Sequence, residues 1–358
     1  MSDVFLYLLG AGASCQALRL ATQFAERLNS FADALKAAGP WSIRDPFPDP
    51  RTIPDDPVWG KGREELVGAI NWLAEETRQH NLSVDAFARK LFLDNDKDNL
   101  NKLKAALSAY LVGEQARKDV DPRYNEFFSH VLEHDKGEGL RLPQKLRILT
   151  WNYDTQLEKA FYGFSKDEKL VLEKITTNRR QIRRPNGCCG QESPGNIDGW
   201  FRAVWDETAD AGWKAAIDLY KKYTSKPPTG LGPEAVALGL IDSPALVGPS
   251  PNICFAWENE TLRLAHLTNS PLHFSYIEGL EEVSVIVAIG YSFPPFNREV
   301  DEEIFGRMAK LRHVYLQYPE GSHAEVTARV ERLLVTDVKP VERANVDSFY
   351  IPDDFYDF

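Results

Sequence analysis

A short segment near the N-terminus has the residue types of a phosphate-binding turn. The apolar run Val4–Leu9 ends at Gly10-Ala11-Gly12-Ala13-Ser14, and a helical pattern follows. Glycines let the backbone approach a pyrophosphate, and a helix N-terminus offers free N–H groups and a positive dipole end. The loop lacks the third glycine of the dinucleotide fingerprint, because Cys15 stands there. The segment therefore predicts a nucleotide site, with a tight strand–helix turn that binds nothing as the alternative.

Polar side chains follow a second apolar strand pattern, Leu146–Thr150, at Asn152 and Asp154. The Asn152 carboxamide has a donor and an acceptor that could orient a ribose hydroxyl or an attacking water. The Asp154 carboxylate could accept a ribose hydrogen bond or stabilise positive charge on the sugar. Asn and Asp also form local turns that bond their own backbone. The position after a buried strand favours a site, and the local turn stays open as the alternative.

A third junction follows the most apolar segment of the chain, Val283–Ile289, which closes at Gly290. The next residues, Phe293-Pro294-Pro295-Phe296, combine stiffening prolines with aromatic rings. These rings could stack on an adenine or a nicotinamide, or could instead plug the space between the sheet and the next helix. Asn297 is the residue of this segment that we expect to make a polar contact with a ligand.

Repeated strand, turn and helix patterns predict an α/β fold, a Rossmann-like doubly wound parallel sheet, in one domain spanning residues 1–358. Helical patterns between residues 63 and 133, with no strand among them, predict a helical module inserted at residues 40–135. The Pro- and Gly-rich stretch 224–252 is expected to be a surface loop. Shorter elements are predicted as strands at Leu170–Ile175 and Gln181–Arg184 and as a Trp-rich helix at Asp198–Tyr223.

Composition and charge exclude several classes of protein. The net charge of -11 disfavours direct nucleic-acid binding, which depends on Lys and Arg replacing counterions. The four cysteines contain no C-x-x-C pair, and no His, Asp or Glu cluster has metal-ligand spacing, so we expect no metal site. The chain has neither a signal-peptide pattern nor an apolar run near twenty residues, which predicts a cytoplasmic protein that does not enter a membrane.

Three segments, in this order along the chain, resemble the signatures of the sirtuin-like superfamily. They are Leu8-Leu9-Gly10-Ala11-Gly12-Ala13-Ser14, Thr150-Trp151-Asn152-Tyr153-Asp154 and Ile289-Gly290-Tyr291-Ser292-Phe293. The closest resemblance is to the bacterial branch whose members are NAD-consuming effectors in anti-phage defence, and it covers most of the chain. It implies that NAD, or a close relative, is the substrate or ligand.

The resemblance also implies roles for individual residues. Gly10, Ala11, Gly12 and Ser14 would line the pyrophosphate, and Asn152 and Asp154 would face the nicotinamide ribose. Gly290 and Ser292 would border the adenosine half of the ligand. The further candidate ligand-binding residues in or beside the three signatures are Ala13, Thr150, Tyr153, Tyr291 and Asn297. On this basis, Val at Gly10 or Gly12 is expected to abolish nucleotide binding and to leave the fold intact.

Two departures from the family pattern limit the chemistry. Deacetylating sirtuins carry a four-cysteine zinc module, which this chain lacks, so deacetylation is disfavoured. The family places a catalytic histidine just before a glycine, where this chain has Asn186 in Arg184-Pro185-Asn186-Gly187. An amide cannot act as a general base, which typically contributes about two to four orders of magnitude in rate. His266 and His273 could reach the site through folding, although a structural role is the commoner fate of such histidines.

Cleavage of the nicotinamide bond has a good leaving group, so positioning and electrostatics could suffice without a histidine. Asn152, Asp154 and Asn186 are then the catalytic candidates. We expect an NAD glycohydrolase that yields nicotinamide and ADP-ribose. The alternative is a catalytically weak nucleotide-binding subunit of a larger defence complex, whereas hydride transfer lacks an evident proton donor. In either case the resemblance implies a protein partner or a homo-oligomer.

Overall fold

The structure, a computed structural model, describes residues 3–18, 24–38, 57–79, 83–135, 139–176, 181–190, 209–224, 253–255, 257–258 and 279–356. The chain divides into two compact units. We call the first the sheet unit; it comprises Met1–Ala21, Val120–Gly187 and Pro271–Phe358. The second, which we call the helical unit, comprises Thr22–Asp119 and Cys188–Ser270.

The strands of the described residues form one parallel sheet and one small antiparallel pair. In chain order they are β1 (Val4–Leu9), β2 (Glu133–Asp135), β3 (Gly139–Arg141), β4 (Leu146–Thr150), β5 (Ile182–Arg183), β6 (Val283–Ile289), β7 (His313–Gln317) and β8 (Pro340–Arg343). The sheet has six strands in the order β5-β4-β1-β6-β7-β8, and every neighbouring pair is parallel. Counted along the chain, this is the order 3-2-1-4-5-6 of the dinucleotide-binding Rossmann fold.

The α-helices of the described residues are α1 (Phe24–Ala37), α2 (Pro57–Gln79), α3 (Val84–Leu93), α4 (Lys97–Ala116), α5 (Pro122–Val131), α6 (Gln156–Ser165), α7 (Glu168–Val171), α8 (Ala209–Thr224), α9 (Arg298–Gly306) and α10 (His323–Glu331). None of them is both long enough and apolar enough to cross a membrane. Helices α1 to α4 and α8 belong to the helical unit, and the others belong to the sheet unit.

Both faces of the sheet are buried, as expected for central parallel strands. On one face, Leu6 and Leu8 of β1 join a core that includes Ile304 of α9 and Val330 of α10. On the other face, the Tyr7 ring lies 4.9 Å from the Phe127 ring of α5. Helices therefore cover the sheet on two sides, and the predicted Rossmann-like α/β fold is confirmed.

The helical unit is organised around α4, which is buried from Leu103 to Ala116. The Phe31 ring of α1 lies 5.2 Å from the ring of Tyr110 and 5.0 Å from that of Trp213. These contacts join α1, α4 and α8 through aromatic packing. The helical patterns predicted between residues 63 and 133 form α2 to α5, of which α5 belongs to the sheet unit.

Two sequence-based predictions of local structure are wrong. Leu170–Ile175 is not a strand, because it continues from α7 into the π-helical turn Leu172–Thr176. Asp167 caps this helix by accepting hydrogen bonds from the backbone N–H groups of Lys169 and Leu170. The helix predicted to reach Glu133 ends at Val131, and Glu133 lies in β2. The predicted surface loop 224–252 lies outside the described residues, except for Thr224 at the end of α8.

Candidate functional site

The chain forms the sheet on one side of β1 first and then, from β6 onward, on the other side, so the carboxyl ends of β1 and β6 are the topological switch point of the sheet. Open α/β sheets bind ligands at such switch points. Three loops follow the central strands there. We call them the glycine loop (Gly10–Ser14, after β1), the second loop (Trp151–Thr155, after β4) and the third loop (Gly290–Asn297, after β6).

The glycine loop and the third loop contact each other backbone to backbone. Gly10 N donates to Ile289 O at 3.0 Å, and Gly12 N donates to Gly290 O at 3.1 Å. A Cβ atom at Gly12 would lie 2.6 Å from Gly290 Cα, and one at Gly10 would lie 2.5 Å from Gly290 O. Gly290 also has a φ of 58°, a left-handed conformation that favours glycine. Packing between two loops is therefore sufficient to require glycine at all three positions.

This contact corrects the expectation that Val at Gly10 or Gly12 would leave the fold intact. Real Cβ atoms essentially never approach another backbone so closely, so either substitution must separate the two loops. In addition, the Gly12 N–H is bonded to Gly290 O and does not point to a ligand. Ala11, in contrast, is exposed, and it is the position of the glycine loop where a substitution meets solvent.

Asn152 joins the second loop to the glycine loop. Its Nδ2 donates to Gly10 O at 2.9 Å and to Ser14 Oγ at 3.4 Å, and its side chain is buried. Its backbone N–H donates to Thr150 Oγ1 at 3.2 Å, which shapes the turn after β4. The structure thus brings three predicted site residues together, and it gives the Asn152 amide a positioning role within the protein.

Asp154 and Ser14 belong to a buried polar network that connects the second loop with the glycine loop. Asp154 Oδ1 accepts the Gln156 N–H at 3.1 Å, and the carboxyl group also hydrogen-bonds with Ser14. Burial raises the pKa of Asp154 to about 6, although the Gln156 N–H, Arg184 and Ser14 oppose the shift. The Tyr124 hydroxyl lies 3.2 Å from Ser14 Oγ, and burial raises its pKa as well. Asp154 can therefore hold or release a proton near neutral pH.

The buried ion pair of Arg123 and Asp121 supports the glycine loop, and the sequence did not indicate it. The Arg123 guanidinium donates to Gly12 O at 3.0 Å and to Ala13 O at 3.1 Å, and it pairs with Asp121 at 2.6 Å. Asp121 also accepts the Gln16 N–H at 2.9 Å. Arg123 is 111 residues from Gly12 along the chain, so no local pattern could indicate this contact. The only nearby signal is the helix-capping position of Asp121 before Pro122.

Arg184 ties the turn that contains Asn186 to the second loop. Its guanidinium donates to Asn152 O at 3.3 Å and to Asp154 O at 3.0 Å, and it forms a bidentate pair with Glu158. Gly187 N donates to Arg184 O at 3.0 Å and closes the turn. Asn186 is 6% exposed, and within the described part of the chain its Oδ1 has no hydrogen-bond partner. Asn186 can therefore accept a hydrogen bond.

The third loop is held by a cluster at its centre. The Tyr291 ring stacks on that of Trp151 with centroids 5.4 Å apart. The Tyr291 hydroxyl donates to the carboxyl group of Asp301 at 3.0 Å and accepts from Asn297 Nδ2 at 2.7 Å. Burial raises the pKa of Asp301 to about 8, against the effect of the Tyr291 hydrogen bond. The polar groups of Tyr291 and Asn297 are thus engaged with each other.

The other predicted residues differ in accessibility. Ser292 is exposed, and its carbonyl accepts from Arg329 at 2.7 Å, while Tyr153 is half-buried in the second loop. His266 and His273 lie outside the described residues. The residues that are described contain no group of three His, Cys, Asp or Glu placed to hold a metal ion.

Comparisons of this chain with protein-family models, with curated proteins and with solved structures found no match.

Proposed function

We propose that this chain binds NAD, or a close relative, at the carboxyl ends of β1, β4 and β6 and hydrolyses it to nicotinamide and ADP-ribose. The observation that carries the proposal is the Rossmann strand order, which puts the glycine loop at the switch point of the sheet. The three resembling segments lie at that same edge. By that resemblance, the protein is a sirtuin-like effector of bacterial anti-phage defence that acts in the cytoplasm with a protein partner or as a homo-oligomer.

The proposed reaction uses positioning and charge. The bond between nicotinamide and ribose C1′ breaks, and its electron pair remains on the pyridine nitrogen. The oxygen of a water molecule bonds to C1′, and its proton goes to Asp154 in its ionised form. Before that transfer, the same carboxylate stabilises the cationic sugar. Asn152 holds the glycine loop, and the buried acceptor Asn186 Oδ1 can orient a water or a ribose hydroxyl.

A second candidate function is a nucleotide-binding subunit with little turnover. Two observations favour it. The resembled family has a histidine base where this chain has the amide of Asn186. In addition, Asn152 Nδ2 donates its two hydrogen bonds within the protein, to Gly10 O and Ser14 Oγ. Under this hypothesis the site binds NAD and signals to a partner without cleaving it.

Nicotinamide release from NAD, measured together with calorimetric NAD binding, separates the two functions. An NADase should lose most of its turnover in Asp154→Asn while binding survives, because the isosteric amide cannot take the proton. Asn186→Ala should cost less than Asp154→Asn, and Asn186→His should keep or raise turnover. Binding without turnover in the wild type would favour the second candidate. If the wild type neither binds nor cleaves NAD, both functions are refuted.

A further inference from the structure

The segment after β8 returns to the sheet and is anchored at the end of β7. We call Asn345–Tyr356 the C-terminal segment. The buried Gln317 side chain donates to Asn345 O and to Ser348 O, both at 2.5 Å, and its Oε1 accepts the Tyr350 N–H at 3.0 Å. Three hydrogen bonds from one side chain therefore determine where the start of this segment lies.

Phe349 of this segment lies against the two residues that support the glycine loop. Its ring is 5.0 Å from that of Tyr124, edge to face, and 5.3 Å from the Arg123 guanidinium carbon. Arg123 also donates to Val346 O at 3.3 Å. On their other sides, Arg123 bonds Gly12 O and Ala13 O, and Tyr124 bonds Ser14 Oγ. Phe349 thus contacts two side chains, Arg123 and Tyr124, which in turn hydrogen-bond to three residues of the glycine loop.

We infer that Phe349 is a positioning residue for the glycine loop and acts through Arg123 and Tyr124. An aromatic face attracts and orients a guanidinium, and edge-to-face packing orients a tyrosine ring. One side chain of the C-terminal segment therefore orients two of the side chains that hydrogen-bond to the loop. The effect of Phe349 on NAD affinity rests on the proposed function, whereas its effect on the glycine loop does not.

The competing explanation is that Phe349 is an ordinary core residue, and the chain offers a matched control for it. Phe355 belongs to the same segment and is also buried. Its ring lies 5.0 Å from that of Phe5 and 4.9 Å from the Lys145 ammonium. Phe5 is near the start of β1, about 16 Å along the strand from Gly10 at the usual rise per residue. Loss of packing at Phe355 should not reach the glycine loop.

The test compares Phe349→Leu with Phe355→Leu, which remove similar apolar contacts and should both fold. Three quantities are measured in the full chain: the free energy of unfolding, the NAD dissociation constant, and the rate at which a thiol reagent labels Cys15. Cys15 is exposed and its Sγ accepts from Arg123 at 3.4 Å, while the other cysteines of the chain are buried. Labelling of the native protein therefore reports on the glycine loop without any ligand.

Both variants should lose stability to a similar extent, but only Phe349→Leu should change the loop. We expect its NAD dissociation constant to rise by at least about fivefold over that of Phe355→Leu, the lower end of typical coupling between linked sites. Its Cys15 labelling rate should differ from wild type by at least about twofold. A Cys15 labelling rate in Phe349→Leu that matches wild type would overturn the inference, whereas a changed rate with equal NAD affinities in the two variants would instead contradict NAD binding at this loop. If the wild type does not bind NAD, the proposed function fails, and labelling alone decides whether Phe349 positions the loop.

Discussion

Replacing Gly12 by Ala tests the contact between the glycine loop and the third loop. The new Cβ would lie 2.6 Å from Gly290 Cα and 3.2 Å from Gly290 O. Carbon atoms normally rest about 3.5 to 4.0 Å apart, so the two loops must move apart by about 1 Å. Such overpacking costs about 1 to 3 kcal/mol, and loss of the hydrogen bond from Gly12 N to Gly290 O adds about 0.5 to 1.5 kcal/mol. We therefore expect the free energy of unfolding to fall by about 3 kcal/mol.

The matched control is Gly163→Ala in α6, which belongs to the same unit. A Cβ at Gly163 meets nothing within 4 Å, so Ala should raise the free energy of unfolding by about 0.5 to 1 kcal/mol through reduced backbone freedom in the unfolded chain. Urea unfolding followed by far-UV circular dichroism, extrapolated to water, measures both changes. A Gly12→Ala protein within about 0.5 kcal/mol of wild type, the range of ordinary surface substitutions, would refute the inferred loop contact.

Three further predictions concern buried charges. Because burial raises the pKa of Asp154 from 3.8 to about 6, the wild type should lose about 2 kcal/mol of stability relative to Asp154→Asn as the pH rises from about 4 to 6, when the unfolding of both proteins is measured at both pH values. Burial raises the pKa of Asp301 from 3.8 to about 8, so the stability of the wild type relative to Asp301→Asn should fall as the pH rises from about 4 to 8 and should change little at higher pH. Arg184→Met leaves Glu158 buried and uncompensated, so it should cost about 3 to 5 kcal/mol in urea unfolding, and a small effect would contradict the pairing.

The central strands could be predicted because each is a short run of mostly apolar residues that ends in a turn. Val4–Leu9, Leu146–Thr150 and Val283–Ile289 are observed with the predicted bounds. The edge strand Pro340–Arg343 has no such run, since two of its four residues are exposed, and no pattern distinguished it from a loop. Leu170–Ile175 is apolar enough for a strand, but the capping side chain of Asp167 starts a helix there. Local composition therefore predicted the buried central strands but not the exposed edge strand.

The candidate site was predictable in its residues but not in its contacts. Ser14 follows β1, whereas Asn152 and Asp154 follow β4, and the parallel pairing of these two strands brings the three residues together as the sequence led us to expect. The reason for the glycines was not predictable, because Gly12 meets Gly290 across the sheet edge. The hydrogen bond from Arg123 to Gly12 O could not be predicted either, because it depends on how α5 packs against the glycine loop. Such pairings arise from tertiary structure, which periodicity does not encode.

We propose that the glycine loop at the switch point binds the NAD pyrophosphate, and a calorimetric titration with NAD measures this binding. Ala11→Glu and Ala11→Gln are a matched pair at an exposed position of that loop, equal in size and different in charge. We expect one NAD per chain for the wild type and for Ala11→Gln, and at least about tenfold weaker binding for Ala11→Glu, because a carboxylate would face the phosphates. Equal affinity in the two variants, or no binding by the wild type, would contradict the claim.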